Sequence, residues 1–457
     1  MKVPGSAQDW IHWIEVGGGA GWVRRAAVLL ALLLLSVLAV YKQYHGPADE
    51  QTLLQADVGR QLAAGRGFTT LVNYPQTAAV MQRRQGRALD RAEPYPELHH
   101  APLYSITIAA GLRCLPAPWR EALFAAPGAP ADAFKADFFL VALNVIFLWV
   151  AAWQSFLLAR RLFDERVAWV AMFALLLSVG VWDRVLLVDG LPLLMMLSLG
   201  AFHLMAALDT PGEGEGTGES LTVGGLVLWG ALGGVCGLLF LAEYSAGLLG
   251  AVAAAFAYWR LRGNDRWMAV AALTLGFAFP ALPWMVRNVA LTGDPVGLAA
   301  QNLALKAGDS TAEPAIQRTL FSSEAPALDL NKIGNKGLTG LQLNVKERLW
   351  SGGGYFLAAF FVVGWLYPFR RASTNRLRWA CTAGWLLLIL AQPFLGSGES
   401  PRLPVFYLLP LILIFGAGFF FVLVESTPTT RGHAGLATAL LLALQASPLA
   451  HDLLQPR

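Results

Sequence analysis

The chain has 457 residues and a formal net charge of +4 at pH 7; 56% of the residues are hydrophobic and 14% are charged. Because soluble proteins carry about 25% charged residues, this composition excludes an ordinary soluble domain and predicts a protein of the lipid bilayer. The basic residues lie mainly at the ends of apolar runs, which suits membrane orientation and argues against nucleic-acid binding. Three widely spaced cysteines, Cys114, Cys236 and Cys381, predict neither a disulfide framework nor a thiolate metal site.

The first apolar run covers residues 26–40 and follows an aromatic and basic approach that includes Trp22, Arg24 and Arg25. Such an approach is typical of the cytoplasmic headgroup region, so we predict a cytoplasmic segment over 1–25 and a first span that runs outward. No A-x-A-like cleavage site follows the run, and we therefore interpret it as an uncleaved span rather than a secretion signal.

Apolar runs with the length of a membrane span recur to the end of the chain, since about 20 helical residues cross the hydrocarbon layer. They cover residues 136–158, 167–181, 191–208, 223–241, 246–258, 268–285, 355–367, 379–394, 405–424 and, more weakly, 436–449. Arginines cluster in alternate connections, at 160–166, 260–266 and 370–378. The connections on the other side hold single arginines: Arg184, Arg287 and Arg402.

By the positive-inside rule, this asymmetry predicts an all-α polytopic membrane domain over 26–457, with about eleven spans. The domain would have a large first external loop over 43–135 with juxtamembrane helices, and a second external loop over 287–350. Residues 209–221, rich in Gly and Glu, predict a flexible cytoplasmic linker. The run 102–115 is too short and interrupted for a confident crossing and favours an interfacial or re-entrant helix.

Two adjacent acids, Asp49 and Glu50, open the first external loop just after the first span. Helix capping is one explanation, because Asp is a good N-cap residue and a cap contributes about 1 kcal/mol. The alternative is catalysis by a carboxylate at the mouth of a membrane cavity. The same loop ends with His99 and His100, followed by Tyr104.

Other acids and isolated arginines also fall on the predicted outer side. Arg184 and Asp189 lie little more than one helical turn apart in a tight connection, and Arg287 precedes a Gly-Asp-Pro turn. Arg402 follows Glu399, and Glu243 lies at a span junction, where it either lines a cavity or reaches water. Singly, each arginine can meet lipid phosphate. Together they predict a site for an anionic, lipid-linked substrate.

The chain resembles the polytopic GT-C glycosyltransferases that use polyprenyl-phosphate sugars, including the lipid A aminoarabinose transferases and the protein O-mannosyltransferases. The resemblance rests on motifs in the same order along the chain: Asp49-Glu50, His100-Ala101-Pro102-Leu103-Tyr104 (similar to the family's K-P-P-L-Y), Ala159-Arg160-Arg161-Leu162-Phe163, the stretch from Arg184 to Asp189, and Pro283 to Asn288 with Gly293-Asp294-Pro295. It departs at His100, where the aminoarabinose branch carries a phosphate-contacting lysine. The oligosaccharyltransferase W-W-D motif is missing, and no large C-terminal soluble domain is visible, which argues against N-glycan transfer.

The resemblance implies roles for the outer residues. Asp49 would be the catalytic base or its close partner, and Glu50 and Asp189 would orient the acceptor or an arginine. Tyr104 and Glu243 would line the substrate cavity. The residues that would face the donor phosphate are Arg184, Arg287, Arg402, His99 and His100. No cofactor is implied; a divalent metal beside these acids is neither required nor excluded.

The predicted function is therefore the transfer of a sugar, with inversion, from polyprenyl phosphate to a hydroxyl on a lipid, glycan or protein. The active site would face the external or periplasmic side of the inner (cytoplasmic) membrane. A transporter or flippase of a lipid-linked saccharide is the main alternative, but it predicts charges near mid-span and duplicated halves, and here the charges gather on one side. A non-catalytic membrane scaffold would leave the outer acids without a role.

Overall fold

The computed structural model describes residues 19–44, 46, 50–90, 92–125, 134–209, 221–300, 334–335, 338, 341–342, 346, 354–395, 406–426, 428 and 432–455. Asp49 and Arg402 lie outside these residues. The helices are α1 (Gly19–Gln43), α2 (Glu50–Ala63), α3 (Pro75–Gln85), α4 (Leu103–Arg113), α5 (Ala117–Leu123), α6 (Lys135–Leu162), α7 (Glu165–Leu176), α8 (Val179–Leu186), α9 (Leu191–Leu208), α10 (Val223–Ala242), α11 (Leu249–Arg260), α12 (Gly263–Thr292), α13 (Tyr355–Val363), α14 (Ala372–Leu395), α15 (Leu409–Glu425) and α16 (Ala434–Leu454). The strands are β1 (Thr69–Thr70) and β2 (Tyr95–Pro96), and a 3₁₀ turn covers Tyr244–Leu248.

The predicted all-α, multi-pass membrane architecture is confirmed. Among the described residues, six helices are long and apolar enough to cross a bilayer, and the bent pair α7–α8 raises this number to seven. The predicted count of about eleven spans is not confirmed. Three predicted spans correspond to shorter helices: α11, with 12 residues, α13, with 9, and α15, with 17. The predicted run 167–181 is not one straight helix, because the chain bends by 50° between α7 and α8.

The chain divides into two compact units, one of residues 1–45 with 450–457 and one of 46–449. In the first unit, α1 exposes apolar side chains such as Leu29, Leu30 and Leu34, each 57–60% accessible. Apolar side chains exposed all along a helix are suited to contact with lipid.

In the second unit, glycines allow α10 and α12 to pack backbone against backbone. A Cβ atom on Gly233 would lie 2.0 Å from the carbonyl oxygen of Leu273, and one on Gly276 would lie 2.0 Å from that of Gly230. Such distances are impossible for a larger residue. Small residues allow this close approach of membrane helices, whose association depends on van der Waals contact.

The segment between α2 and α5 forms a layer of short elements. β1 and β2 pair antiparallel, and the Asp57 carboxylate on α2 accepts hydrogen bonds from the Thr70 hydroxyl (2.8 Å) and the Leu71 amide (2.7 Å). The Ser105 hydroxyl on α4 donates to the Gln55 carbonyl (3.0 Å), which ties α4 to α2. With 11 residues, α4 is too short to cross a bilayer, as its sequence predicted.

A buried ion cluster lies where α9 ends. The Asp209 carboxylate accepts from Arg260 at the end of α11 (2.9 Å) and from Arg376 on α14 (2.9 and 3.1 Å). The Asp209 side chain is 0% exposed. We call this side of the second unit the Asp209 end, and the side where α9 begins the Asp189 end; at 1.5 Å per residue, the 18 residues of α9 separate them by about 27 Å.

Candidate functional site

The connection between α8 and α9 carries Asp189 in a strained backbone. Val188 has a φ of 61°, a left-handed conformation that is unfavourable for a β-branched residue. Its carbonyl oxygen accepts a hydrogen bond from the Tyr104 hydroxyl (2.9 Å), and that of Leu187 accepts one from the Thr52 hydroxyl (3.1 Å). Side chains from α2 and α4 therefore hold this connection in place.

Asn144, fully buried in α6, holds the same connection from the bundle side. Its amide nitrogen donates to the carbonyl oxygens of Asp189 (2.8 Å) and Val185 (3.4 Å). Its side-chain oxygen accepts from the Tyr104 hydroxyl (3.0 Å). An apolar residue there would leave the Asp189 carbonyl without this donor, so Asn144 fixes the backbone that presents the Asp189 carboxylate.

Asp189 and Arg184, both predicted site residues, form an ion pair. The Asp189 Oδ2 lies 3.5 Å from Arg184 Nη1, and the two side chains are only 12% and 11% exposed. The other carboxylate oxygen accepts from the Leu191 amide (3.0 Å), which anchors it at the start of α9. The guanidinium carbon of Arg184 lies 5.6 Å from the centre of the Phe406 ring, so the cation has an aromatic face beside it.

Glu243 is buried beside the same region. It is 6% exposed and ends α10, so of the two predicted alternatives it does not reach water. The carboxylates of Glu243 and Asp189 both lie within electrostatic range of the Tyr407 hydroxyl, which is itself 3.4 Å from the Ser245 hydroxyl. The charges of two acids from separate connections therefore interact with one buried phenol.

A second charged group surrounds Glu97, which precedes the predicted histidines. Its Oε1 accepts from the backbone amides of His99 (2.7 Å) and His100 (2.9 Å) and lies 3.0 Å from His100 Nδ1. Burial on its own raises the pKa of the Glu97 carboxyl, but His100 and His99 together outweigh this and lower the pKa to about 2. Glu97 is therefore a buried anion at neutral pH.

Arg287 joins this group from α12. Its Nη2 donates to the Glu97 carbonyl oxygen (3.1 Å), and its guanidinium carbon lies 4.4 Å from the centre of the Trp284 ring. The Trp284 indole donates to the Tyr244 hydroxyl (2.9 Å), which donates to the His100 carbonyl oxygen (3.2 Å). Burial raises the pKa of the Tyr244 phenol, so the hydroxyl keeps its proton and remains a donor.

Glu50, the first residue of α2, belongs to the Glu97 group through aromatic contacts. It accepts a hydrogen bond from the Tyr74 hydroxyl. The Tyr74 ring meets the His99 ring edge to face at 5.3 Å, and His99 Nε2 lies 3.4 Å from the Thr77 hydroxyl.

The structure thus gathers the described predicted residues into two connected groups at the Asp189 end. Asp189, Arg184 and Tyr104 form one, and the second comprises Glu50, His99, His100 and Arg287 around Glu97. The adjacent residues Glu243 and Tyr244 link the two groups. Glu243, like Asp189, interacts electrostatically with Tyr407, and Tyr244 donates a hydrogen bond to the His100 carbonyl oxygen. The roles assigned to these residues stay predictions, as do those of Asp49 and Arg402 outside the described residues.

Sequence reasoning missed Glu97, Asn144, Tyr244 and Tyr407. Asn144 carried a usable signal, because an amide within an apolar run costs free energy unless it is hydrogen-bonded. Glu97 stands in an irregular loop where no periodicity marks it. Neither it nor the two tyrosines belongs to a motif that the sequence analysis used.

No group of three or more His, Cys, Asp or Glu side chains within the described part of the chain is placed to hold a metal ion. A cavity of about 170 Å³ lies next to this region and is lined in part by Thr52, Asp57 and Arg60. Thr52 connects it to the carbonyl oxygen of Leu187, two residues before Asp189.

No protein-family model matches this chain, and no curated protein sequence matches it significantly. Solved structures do. The Archaeoglobus fulgidus oligosaccharyltransferase AglB, in complex with an inhibitory peptide and a dolichol-phosphate, matches with a TM-score of 0.54 and 15% identity over 93% of this chain and 55% of that one. The same archaeon's oligosaccharyltransferase with zinc and sulfate matches with a TM-score of 0.53 and 15% identity, over 91% and 51%.

ArnT from Cupriavidus metallidurans, bound to undecaprenyl phosphate, matches with a TM-score of 0.50 and 15% identity, over 94% of this chain and 65% of that one. This chain spans about half the length of the archaeal enzymes. The similarity establishes that the chain has the GT-C membrane fold, as its motifs predicted.

Proposed function

We propose that this protein is a membrane glycosyltransferase that moves a sugar from a polyprenyl-phosphate donor to a hydroxyl acceptor at the external face of the inner membrane. The observation that carries the proposal is the gathering of buried acids and arginines at the Asp189 end of a bundle with the GT-C fold. The solved structures support it, because one contains undecaprenyl phosphate and another a dolichol-phosphate.

Arg184 and Arg287 are suited to bind the donor phosphate. A guanidinium has five N–H donors, and Arg287 uses only some of them in its hydrogen bonds to the Asn288 side chain and to the Phe68 and Glu97 carbonyl oxygens. The 3.5 Å contact between Arg184 and Asp189 is long for a hydrogen bond, so a phosphate oxygen would compete with this carboxylate for the guanidinium. Arg402, His99 and His100 would complete the phosphate site.

In the proposed reaction, the acceptor oxygen attacks the anomeric carbon, and the bond from that carbon to the phosphate oxygen breaks with inversion. The electron pair stays on the departing polyprenyl phosphate, whose charge the arginines stabilise. The Asp49 carboxylate takes the hydroxyl proton, a contribution of typically 10²- to 10⁴-fold. Asp189 and Glu50 orient Arg184 and the acceptor.

The test compares Asp49→Asn with the matched control Glu93→Gln, an acid in the same loop whose side chain is 54% exposed and paired with Arg87. Purified protein is incubated with a polyprenyl-phosphate sugar, and free polyprenyl phosphate is measured. We expect release by the wild type and the control, and at least a 10²-fold loss in the Asn variant. Near wild-type release by correctly inserted Asp49→Asn would remove the proposed base. A flippase would move the donor without releasing polyprenyl phosphate.

A further inference from the structure

A larger cavity of about 620 Å³ lies at the Asp209 end, away from the candidate site. It opens between the end of α6, the connection that precedes α14, and the end of α15. Its place is fixed by contacts with the last turns of α6 and α9: Arg371 donates to the Arg161 carbonyl oxygen (3.0 Å), and Arg161 donates to that of Ala206 (3.0 Å). The volume is within the range of about 300–1,000 Å³ that is usual for ligand sites.

Aromatic rings form one wall of this cavity. Phe163 and Phe369 meet edge to face at 5.2 Å, and Tyr367 and Phe421 also line it. The Phe163 ring fits against Gly418, where an added Cβ would lie 2.4 Å from a ring carbon. The wall is therefore closely packed and preformed.

Two acids and two arginines line the cavity, so their formal charges balance, and the two acids already have partners within the protein. Asp164 accepts the Val167 amide as the N-cap of α7 (2.9 Å), and the other acid, Glu425, pairs with Arg166 at 3.4 Å. Both acids are thus engaged by the protein, and a helix N-terminus offsets part of the Asp164 charge. The lining arginines are Arg370 and Arg371.

Arg370 has no ion pair or hydrogen bond to any described residue, and its side chain is exposed. Arg371 uses one N–H for the Arg161 carbonyl, which leaves further donors on its guanidinium. Two guanidinium groups that line one cavity and have unused donors are suited to bind a phosphate group.

The apolar surface beside the cavity indicates where such a phosphate comes from. Val363 and Leu366, just before Tyr367, are 68% and 87% exposed, and Leu423, next to the lining residue Val422, is 43% exposed. In a multi-pass membrane protein, exposed apolar side chains of this kind face acyl chains. A ligand with a phosphate and acyl chains would use both surfaces at once.

We propose that this cavity binds the headgroup of an anionic phospholipid, with Arg370 and Arg371 on its phosphate and its acyl chains along Val363, Leu366 and Leu423. The arginine distribution in the sequence predicts that this end is cytoplasmic, where anionic lipids attract basic pockets between membrane helices. This site is separate from the glycosyl-transfer site and does not rest on the proposed function.

The test measures lipid binding to the purified full-length protein in detergent by native mass spectrometry, with phosphatidylglycerol and phosphatidylcholine as probes. We expect the wild type to retain phosphatidylglycerol in preference to phosphatidylcholine. In Arg370→Ala/Arg371→Ala, the ratio of bound phosphatidylglycerol to bound phosphatidylcholine should fall at least tenfold. The matched control is Arg160→Ala/Arg262→Ala, which removes two exposed arginines predicted to lie on the same membrane face but outside the cavity lining. The control should keep the preference.

Equal retention of phosphatidylglycerol by the wild type and the Arg370→Ala/Arg371→Ala variant would overturn the proposal. So would displacement of the lipid by millimolar inorganic phosphate, because the cavity would then be a free-phosphate site. Arg370→Ala alone removes no hydrogen bond to the described protein, so it keeps the test valid if the double variant fails to fold. We expect at least a threefold loss of preference from it, and an unchanged preference in this folded variant would also count against the proposal.

Discussion

The hydrogen bond between Tyr104 and Asn144 offers a quantitative test of how the Asp189 backbone is held. Tyr104→Phe removes the single hydroxyl proton that Asn144 Oδ1 (3.0 Å) and the Val188 carbonyl oxygen (2.9 Å) share. It leaves the Val188 carbonyl without this donor, and because an unsatisfied buried acceptor costs about 1–3 kcal/mol, the free energy of unfolding should fall by about 2 kcal/mol. Asn144→Leu, similar in volume, removes three bonds, one of them weak at 3.4 Å. It also leaves the buried Asp189 carbonyl without a donor, so we expect a loss of about 3 kcal/mol.

The two substitutions share one bond, so their effects should not add. The double variant should lose about 4 kcal/mol, roughly 1 kcal/mol less than the sum of the single losses. Denaturant titration of the purified protein in detergent measures the four free energies of the cycle. Ser155→Ala is the control: Ser155 is also fully buried in α6, but its hydroxyl has no hydrogen-bond partner among the described residues. It should cost less than about 1 kcal/mol.

Strict additivity of the Tyr104 and Asn144 variants, within about 0.3 kcal/mol, would refute the reasoning. A loss of stability without any loss of transfer activity would contradict the positioning role, because both residues act on the backbone that presents Asp189.

Three further predictions concern single sites. Asp209→Asn leaves the buried Arg260 and the partly buried Arg376 without an anion and should lower the free energy of unfolding by about 3–5 kcal/mol in denaturant titration. Glu97→Gln should lower the free energy of unfolding by roughly 3 kcal/mol near pH 7. Because folding lowers the pKa of Glu97 from 4.5 to about 2, this difference from the wild type should shrink as the pH falls from about 5 toward 2 in parallel titrations. Gly276→Val should prevent α10 and α12 from packing, seen as loss of folded protein in size-exclusion chromatography, whereas Gly200→Ala, in open space, should not.

Apolar run lengths predicted some helices well and others poorly, for a physical reason. The run 191–208 coincides with α9, because Gly190 and Asp209 end the apolar stretch and the helix together. The run 268–285 lies inside the longer α12, Gly263–Thr292, since polar residues at both ends continue the helix. Hydropathy marks the residues that can contact the hydrocarbon layer, whereas the backbone hydrogen bonds of the helix continue into the polar residues on either side.

The candidate site was partly predictable for a similar reason. Arg184 and Asp189 are close in sequence, so helical spacing predicted their proximity, and the structure shows the ion pair. The contact of Arg287 with Glu97 joins residues that are 190 positions apart. No local pattern encodes such a contact, because it arises only when α12 packs beside the loop that carries Glu97.

Residues 210–220 lie between the end of α9 and the start of α10, and each of these two helix termini is held by its own hydrogen bonds. Asp209 is clamped by arginines at the close of α9, and the Thr222 hydroxyl accepts the Gly225 amide (3.1 Å) as the cap of α10. Neither terminus needs the intervening Gly- and Glu-rich sequence for its geometry. That sequence is therefore a suitable place to insert an antibody epitope without harming the bundle. Accessibility of the epitope in intact versus permeabilised cells would then report, in one experiment, the sidedness of the whole molecule.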